Sequence, residues 1–317
     1  MSLWQYDRDG VTQSFLKKFR ECKLQCRLEY VDGWTSNADR IWFRYGHLIH
    51  HLLQHVYEKE IIDNEPQAYH LAHDYAEKEG WFKPDVAAYI QDENAVLCSI
   101  AQKILPSYCL LNLVDIHNSI TLDTEKEYRL ELRDTFLRGK LDRVYKEAND
   151  EEIVVRDYKT TSRKINSEEL RNEYKLDTQT YAYLTLAAAK WELIPNRMEY
   201  TFLKTPSYSF ARKKVGTTNL DWLEKVKQAI EKTPSEWFTT IKLNVSAQNL
   251  QQWRKEQLIP MLDEVRDWWR SGCPGFPYNE QSLRTKFNSK CTMYDLIVFG
   301  QTSNYYKRTK AFSEYVV

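Results

Sequence analysis

Apolar and polar positions change rhythm twice along this chain. From residue 11 to about 115 the apolar side chains recur at helical intervals, as in Leu16 and Phe19, then Leu48, Leu52, Leu53 and Val56. Glycines are few there, so a helical N-terminal part is predicted. At about residue 125 the period shortens to two. Tyr128, Leu130 and Leu132 alternate with charged neighbours in EYRLELRD, the pattern of a strand. FLRGKLDRVY and IVVRDYKT follow, separated by EANDEE. The Asn and Asp of that connection suit a short turn, so the two runs are predicted to form an antiparallel hairpin. A helix is predicted from Leu176, with Thr180, Tyr183, Leu184, Ala187 and Ala188 on one face, until Pro195 stops it. MEYTFLKT reads as the next strand, giving a core order of strand–strand–strand–helix–strand. Residues 220–232 are amphipathic. A longer helical stretch follows Ser246, burying Leu250, Trp253, Leu258, Leu262, Val265 and Trp268, with Pro260 placed to kink it.

Composition narrows the class. The 317 residues are 42% hydrophobic and 28% charged, which excludes wholesale disorder. The length suits two average domains, or one α/β domain with large insertions. The 45 basic residues balance 45 acidic ones. That argues against a globally basic nucleic-acid binder but leaves a local basic groove open. Residues 58–94 hold ten acids and three bases, a solvated face. No run is expected to supply the ~18 apolar residues of a membrane helix, and MSLWQYDRDG lacks the features of a secretory signal. A cytoplasmic protein without membrane association is therefore expected. The six cysteines read as reduced thiols or metal ligands.

The candidate chemistry lies on the predicted hairpin. Asp157 and Lys159 sit at i and i+2 and so share one face of their strand. This balance of charges yields roughly six acid–x–base triplets by chance, so the triplet alone says nothing. Its setting does. IVV precedes Asp157, which places the carboxylate at a core-entering strand where an unpaired charge is costly. If the hairpin sets Asp142 opposite Asp157, two carboxylates and an ammonium converge. Such carboxylates repel unless a cation joins them, and all-oxygen ligation suits Mg²⁺ or Mn²⁺.

With Gly139–Asp142 as GxxD, Asp157–Lys159 as DxK and Gln179–Tyr183 as QxxxY, the chain resembles the RecB-like branch of the PD-(D/E)XK nucleases. Further matching marks are the opening helix in SFLKKFRECKLQCRLEYVDGW, Gly46–His50 as GxxxH, the Glu125–Tyr128 spacing and Lys204 in FLKTP. Together they run from about residue 14 to 297, in the family's order. The proline of the family name is absent, since Leu141 precedes Asp142.

The resemblance implies an α/β fold: a restriction-endonuclease-like core with a mixed central sheet flanked by helices, a large helical N-terminal insertion and a helical C-terminal part. The corresponding division is 1–124, 125–245 and 246–317. It further implies that Asp142 and Asp157, with the Tyr158 carbonyl and His50, hold one or two divalent cations. Lys159 would orient or activate the attacking water, and Gln179 and Tyr183 would steady the site. Many such proteins pin their ends with four cysteines around an iron–sulfur cluster. Here Cys22 and Cys291 match, but Leu283 and Ile297 stand where the other two belong, and Cys26 and Cys273 lie off the spacing. Four thiolates are the norm, so no cluster is expected, and apolar packing is expected to replace the clamp.

Arg163 and Lys164, Lys204, and Arg212, Lys213 and Lys214 form basic segments expected to line a DNA-binding rim, with Lys307, Arg308 and Lys310 in the tail. Tyr208, Phe210 and Tyr305 are placed to stack on unpaired bases. The resulting expectation is a Mg²⁺- or Mn²⁺-dependent deoxyribonuclease of bacterial or phage type. It is expected to act as an exonuclease on DNA ends in recombination, repair or replication, with a helicase or recombinase as candidate partner. Two alternatives stay open: an inactive nuclease fold that binds DNA or protein, and a helical interaction protein.

Overall fold

The computed structural model describes residues 2–36, 41–148, 152–165, 167–195, 197–206, 219–275, 280–283 and 291–312. Thr12 caps the first helix of more than one turn, α1 (Gln13–Glu21), by accepting from the Phe15 N–H, which satisfies one of the donors a helix start leaves over. A π-helical turn (Arg27–Val31) leads to the short strand β1 (Trp34–Ser36). Then come α2 (Ile41–Glu58), α3 (Glu65–Lys78) and α4 (Ala88–Leu111). Contrary to the sequence expectation, α4 is long and apolar enough by composition to cross a membrane. Its Leu97, Ile100, Ala101, Ile104 and Leu105 are buried in the core it shares with α2 and α3, so the apolar run is that of a central core helix.

The strands that follow build a five-stranded sheet in sequence order: β2 (Ser119–Leu132), β3 (Thr135–Glu147), β4 (Ile153–Thr161), β5 (Arg197–Lys204) and β6 (Phe238–Asn244). β3 pairs antiparallel with both β2 and β4, β4 pairs parallel with β5, and β6 closes the sheet antiparallel to β5. The predicted hairpin and strand order are present; the turn at 149–151 lies outside the described residues. The parallel step needs a crossover. It is made by α5 (Ser167–Lys175) and α6 (Thr178–Trp191), with Asp177 capping the second. β6 was not anticipated, because only Ile241 and Leu243 of its seven residues are buried.

Two cores sandwich the sheet. On one face Leu141, Val144 and Val155 pack with α1, α6 and the C-terminal helices α8 (Ala247–Trp253) and α9 (Ile259–Arg270). On the other, Tyr158 and Leu203 pack with α2–α4 and α7 (Asn219–Lys232). The residues before β2 are thus divided between the faces. Pro260 does interrupt its helix: a π-helical turn, Arg254–Leu258, precedes it, which relieves the clash a proline makes with the preceding turn. The ends of the chain are clasped by β7 (Tyr305–Lys307) pairing with β1, and Phe312 packs on Phe15 and Tyr30.

Candidate active site

The pairing of β3 with β4 runs as far as Arg143 opposite Arg156. One step further along the same register, Asp142 faces Asp157, and here the strands part. A carboxylate opposite a carboxylate is unfavourable unless neighbours compensate. Both groups are nearly inaccessible, at 8% and 2% exposure. Asp142 Oδ2 accepts from the Tyr158 N–H at 2.7 Å. Asp157 Oδ1 accepts from Gln179 Nε2 at 2.8 Å, and the Lys159 ammonium lies 2.7 Å from Oδ2. The structure therefore brings together Asp142, Asp157, Lys159 and Gln179.

Two glycines make this geometry possible. A Cβ on Gly139 would stand 2.7 Å from Leu186 and 3.2 Å from Tyr183. Its absence lets α6 settle onto β3 and carries Gln179, one turn before Tyr183, over Asp157. Tyr183 itself packs against Gly139 in the apolar core. On the other face, Gly46 brings α2 close to β4, where a Cβ would lie 3.4 Å from the Thr160 hydroxyl. One turn later His50 reaches into the site, with Nε2 2.9 Å from the Tyr158 carbonyl oxygen. His50 Nδ1 lies 3.3 Å from Glu125 and 3.4 Å from Asp142.

Glu125 is the residue that sequence reasoning did not place in the site. It lies opposite Asp142 across the β2–β3 ladder, between the pairs Thr124–Arg143 and Lys126–Leu141. Its φ of 45° is a conformation that side chains other than glycine adopt at a cost of about 1–2 kcal/mol. Lys140 holds it at 2.6 Å. The spacing to Tyr128 was visible in the sequence, but the ladder shift between Thr121 and Asp123 that sets its register was not.

Titration follows from this crowding. Burial raises the Asp157 carboxyl above the ordinary carboxylate range, and Asp142 adds to the effect against the pull of Lys159. Burial acts the same way on Asp142, but His50 and Lys159 outweigh it and hold that group low. Burial disfavours the charged forms of His50 and Lys159, yet the facing carboxylates raise both.

The donor set fits a divalent metal ion. His50, Glu125 and Asp142 offer ligand atoms within 4.8 Å of one another, and the Tyr158 carbonyl adjoins them. Asp157 Oδ2 is buried with no hydrogen-bond donor aligned on it. Carboxylate and carbonyl oxygens with one imidazole suit a hard cation better than a thiolate-seeking one. A cleft of about 590 Å³ opens over this group and includes Lys140 and Lys159. A second hollow of about 460 Å³ reaches Lys159 and Gln179 from the side of Lys17 and Tyr174.

The remaining expected residues are spread out. Arg163 and Lys164 are exposed past the end of β4, where Arg163 pairs with Glu173. Lys204 ends β5 beside Thr161, over the Trp237 ring. Arg212, Lys213, Lys214, Tyr208 and Phe210 lie outside the described residues, as do residues 276–279 and 284–290 of the segment before Cys291.

Comparison with known proteins gives a family. The model of the PD-(D/E)XK nuclease superfamily matches residues 11–274. No curated protein matches the chain. Among solved structures it is similar to a phage-related exonuclease from Haemophilus somnus 129PT, at 12% identity over 73% of this chain and 83% of that one, with a TM-score of 0.30. It is also similar to SSO0001, at 12% identity over 82% and 85%, with a TM-score of 0.25. Likenesses this distant say nothing of what the chain does.

Proposed function

Because the chain belongs to the PD-(D/E)XK nuclease superfamily, we propose that it hydrolyses phosphodiester bonds in DNA with Mg²⁺ or Mn²⁺. We assign it to the RecB-like branch, as a cytoplasmic exonuclease acting on DNA ends in recombination, repair or replication. On this reading residues 125–245 form the nuclease core, flanked by 1–124 and 246–317. A helicase or recombinase would deliver the ends. The observation that carries the reading is the meeting of Asp142, Asp157 and Lys159 where β3 and β4 part, with His50 and Glu125 closing the other side.

In this site Asp142, Glu125, His50, Asp157 and the Tyr158 carbonyl would hold the cation. A bound divalent ion polarises the scissile phosphate and lowers the pKa of a bound water. Lys159, kept protonated by its carboxylate neighbours, orients the attacking water and neutralises charge that develops on the phosphorane. Gln179 keeps Asp157 turned toward the cleft through the 2.8 Å hydrogen bond. The basic side chains Arg163, Lys164 and Lys204 would form the rim on which DNA lies; Arg212, Lys213 and Lys214, outside the described residues, are expected to bind the same DNA.

The test is degradation of linear, circular and single-stranded DNA with Mg²⁺ or Mn²⁺, and with chelator. Cleavage of ends that vanishes in chelator, in Asp157→Ala and in Lys159→Ala supports the reading. Cleaved circles would replace the exonuclease by an endonuclease. DNA binding without cleavage in either metal would leave an inactive binding module.

A further inference from the structure

Another cavity, larger than the metal cleft, lies elsewhere among the described residues. It encloses about 850 Å³ between the two ends of the chain, where the segment after β7 crosses the N-terminal residues. Arg8, Arg138, Lys307, Arg308 and Lys310 line it, against Asp9 and Asp32. Four of the lining charges are already paired: Arg8 with Asp9, Asp32 with Arg27, and Arg138 with Glu127. Neither Lys307 nor Lys310 has a carboxylate at ion-pair distance among the described residues, and Lys307 lies over the Trp34 ring. Arg308 is anchored on the Glu29 carbonyl and over Tyr30, with Nε buried and unpartnered. Lys307, Arg308 and Lys310, held this close with no carboxylate at ion-pair distance among the described residues, make a site for polyvalent anions.

Its position says which anion. Arg138 and Lys140 stand at i and i+2 on β3, so they share a strand face. Lys140 lines the metal cleft and Arg138 lines this cavity. From Arg138 to Asp142 is four residues of strand, roughly 13 Å. That corresponds to about four phosphates of a B-form strand, or fewer if the strand is drawn out. Lys140, paired with Glu125, and Arg138, paired with Glu127, thus mark the path from the metal cleft to the cavity, over the reach of a short run of nucleotides.

We propose that the cavity grips the phosphates of the DNA strand about four nucleotides, or fewer where the strand is drawn out, from the bond being cut. This rests on the nuclease reading and adds to it a second, sequence-independent hold on the same strand. The hold tethers the substrate between successive cuts.

The full chain carrying Lys307→Ala and Lys310→Ala is compared with wild type on two substrates. One is a mononucleotide p-nitrophenyl ester, which engages only the metal cleft. The other is a long single-stranded DNA oligonucleotide. Expected is a roughly tenfold fall in kcat/KM on the oligonucleotide and none on the ester. DNA affinity, measured with Ca²⁺ as metal, should fall, and its log–log salt slope should shrink by roughly 1.4 for two lost contacts on a single strand. Unchanged affinity and salt slope would overturn the proposal, as would equal losses on both substrates. Tighter binding of RNA than of DNA would overturn the choice of substrate. Should wild type hydrolyse neither substrate, the nuclease reading fails, and the affinity measurement still decides whether the cavity binds a strand.

Discussion

Gln179 donates from its amide to Asp157 across 2.8 Å, tying the first turn of α6 to the middle of β4. Asp177 caps the same turn by accepting from the Gln179 N–H at 2.8 Å, so both backbone and side chain of Gln179 are held. The bond fixes one oxygen of a buried carboxylate and leaves the other toward Lys159 and the cleft.

Gln179→Ala should therefore free Asp157 to rotate while leaving the fold intact. Cleavage rate at saturating DNA should drop roughly 10–100-fold, the scale of losing a support behind a metal ligand. Affinity for DNA should hardly change. Steady-state kinetics with a parallel binding titration check this; a loss confined to affinity would remove Gln179 from the catalytic arrangement.

Gly139→Ala tests the contact that sets α6. The added methyl would meet Leu186 at 2.7 Å and Tyr183 at 3.2 Å, so overpacking should cost about 1–3 kcal/mol. Activity should fall as well, since α6 carries Gln179. Leu186→Ala in the same chain should restore part of the activity, though not the full stability. Urea titration and DNA cleavage of the single and double variants measure both.

Much of this was legible in the sequence because the relevant residues are local or periodic. Asp157 and Lys159 follow an apolar IVV run, and the hairpin places Asp142 across from them. The helix with Gln179 and Tyr183 shows a clear 3.6-residue stripe. Tyr183, however, serves that stripe by packing on Gly139. What could not be read depends on register. Glu125 enters the site only because the β2–β3 ladder shifts and Glu125 adopts a positive φ, and neither leaves a composition signal. The basic cavity likewise needs β7 to meet β1 some 270 residues away in sequence, as Trp34 does Lys307. The apolar run of α4 went unread, since no run that long and apolar was expected, and only its packing with α2 and α3 shows that protein covers it.

Glu125→Gln should weaken cation binding. It removes one of three ligand groups that lie within 4.8 Å of one another and leaves Lys140 without its 2.6 Å partner. Mn²⁺ affinity measured by calorimetry should fall at least about tenfold. Wild type should also gain thermal stability on adding Mn²⁺, because an ion bound only by the folded state stabilises it by mass action. The variant should gain less at the same concentration. Equal gains in both would exclude Glu125 from the cation site.

Acid stability should hinge on an ion pair behind β4. Arg156, next to Asp157, directs two nitrogens at Asp115, at 2.5 and 2.9 Å, and a third at Glu199 at 2.9 Å. Burial would raise the Asp115 carboxyl, but Arg156 overrides it and holds the pKa down to about 2, against 3.8 for a free side chain. A carboxylate whose pKa is lower folded than unfolded stabilises the fold above the unfolded value. That stability is lost as pH falls from about 4 towards 2. The difference between these two values would give about 2.5 kcal/mol. With the Asp115 side chain 31% exposed, solvent screening reduces the expected contribution to roughly 1–2 kcal/mol. Asp115→Asn should lose at least that amount at pH 7 and show a shallower decline between pH 4 and 2. Urea unfolding across this range in both proteins would reveal it. Parallel curves for wild type and Asp115→Asn would show that the Arg156 pair does not govern acid unfolding.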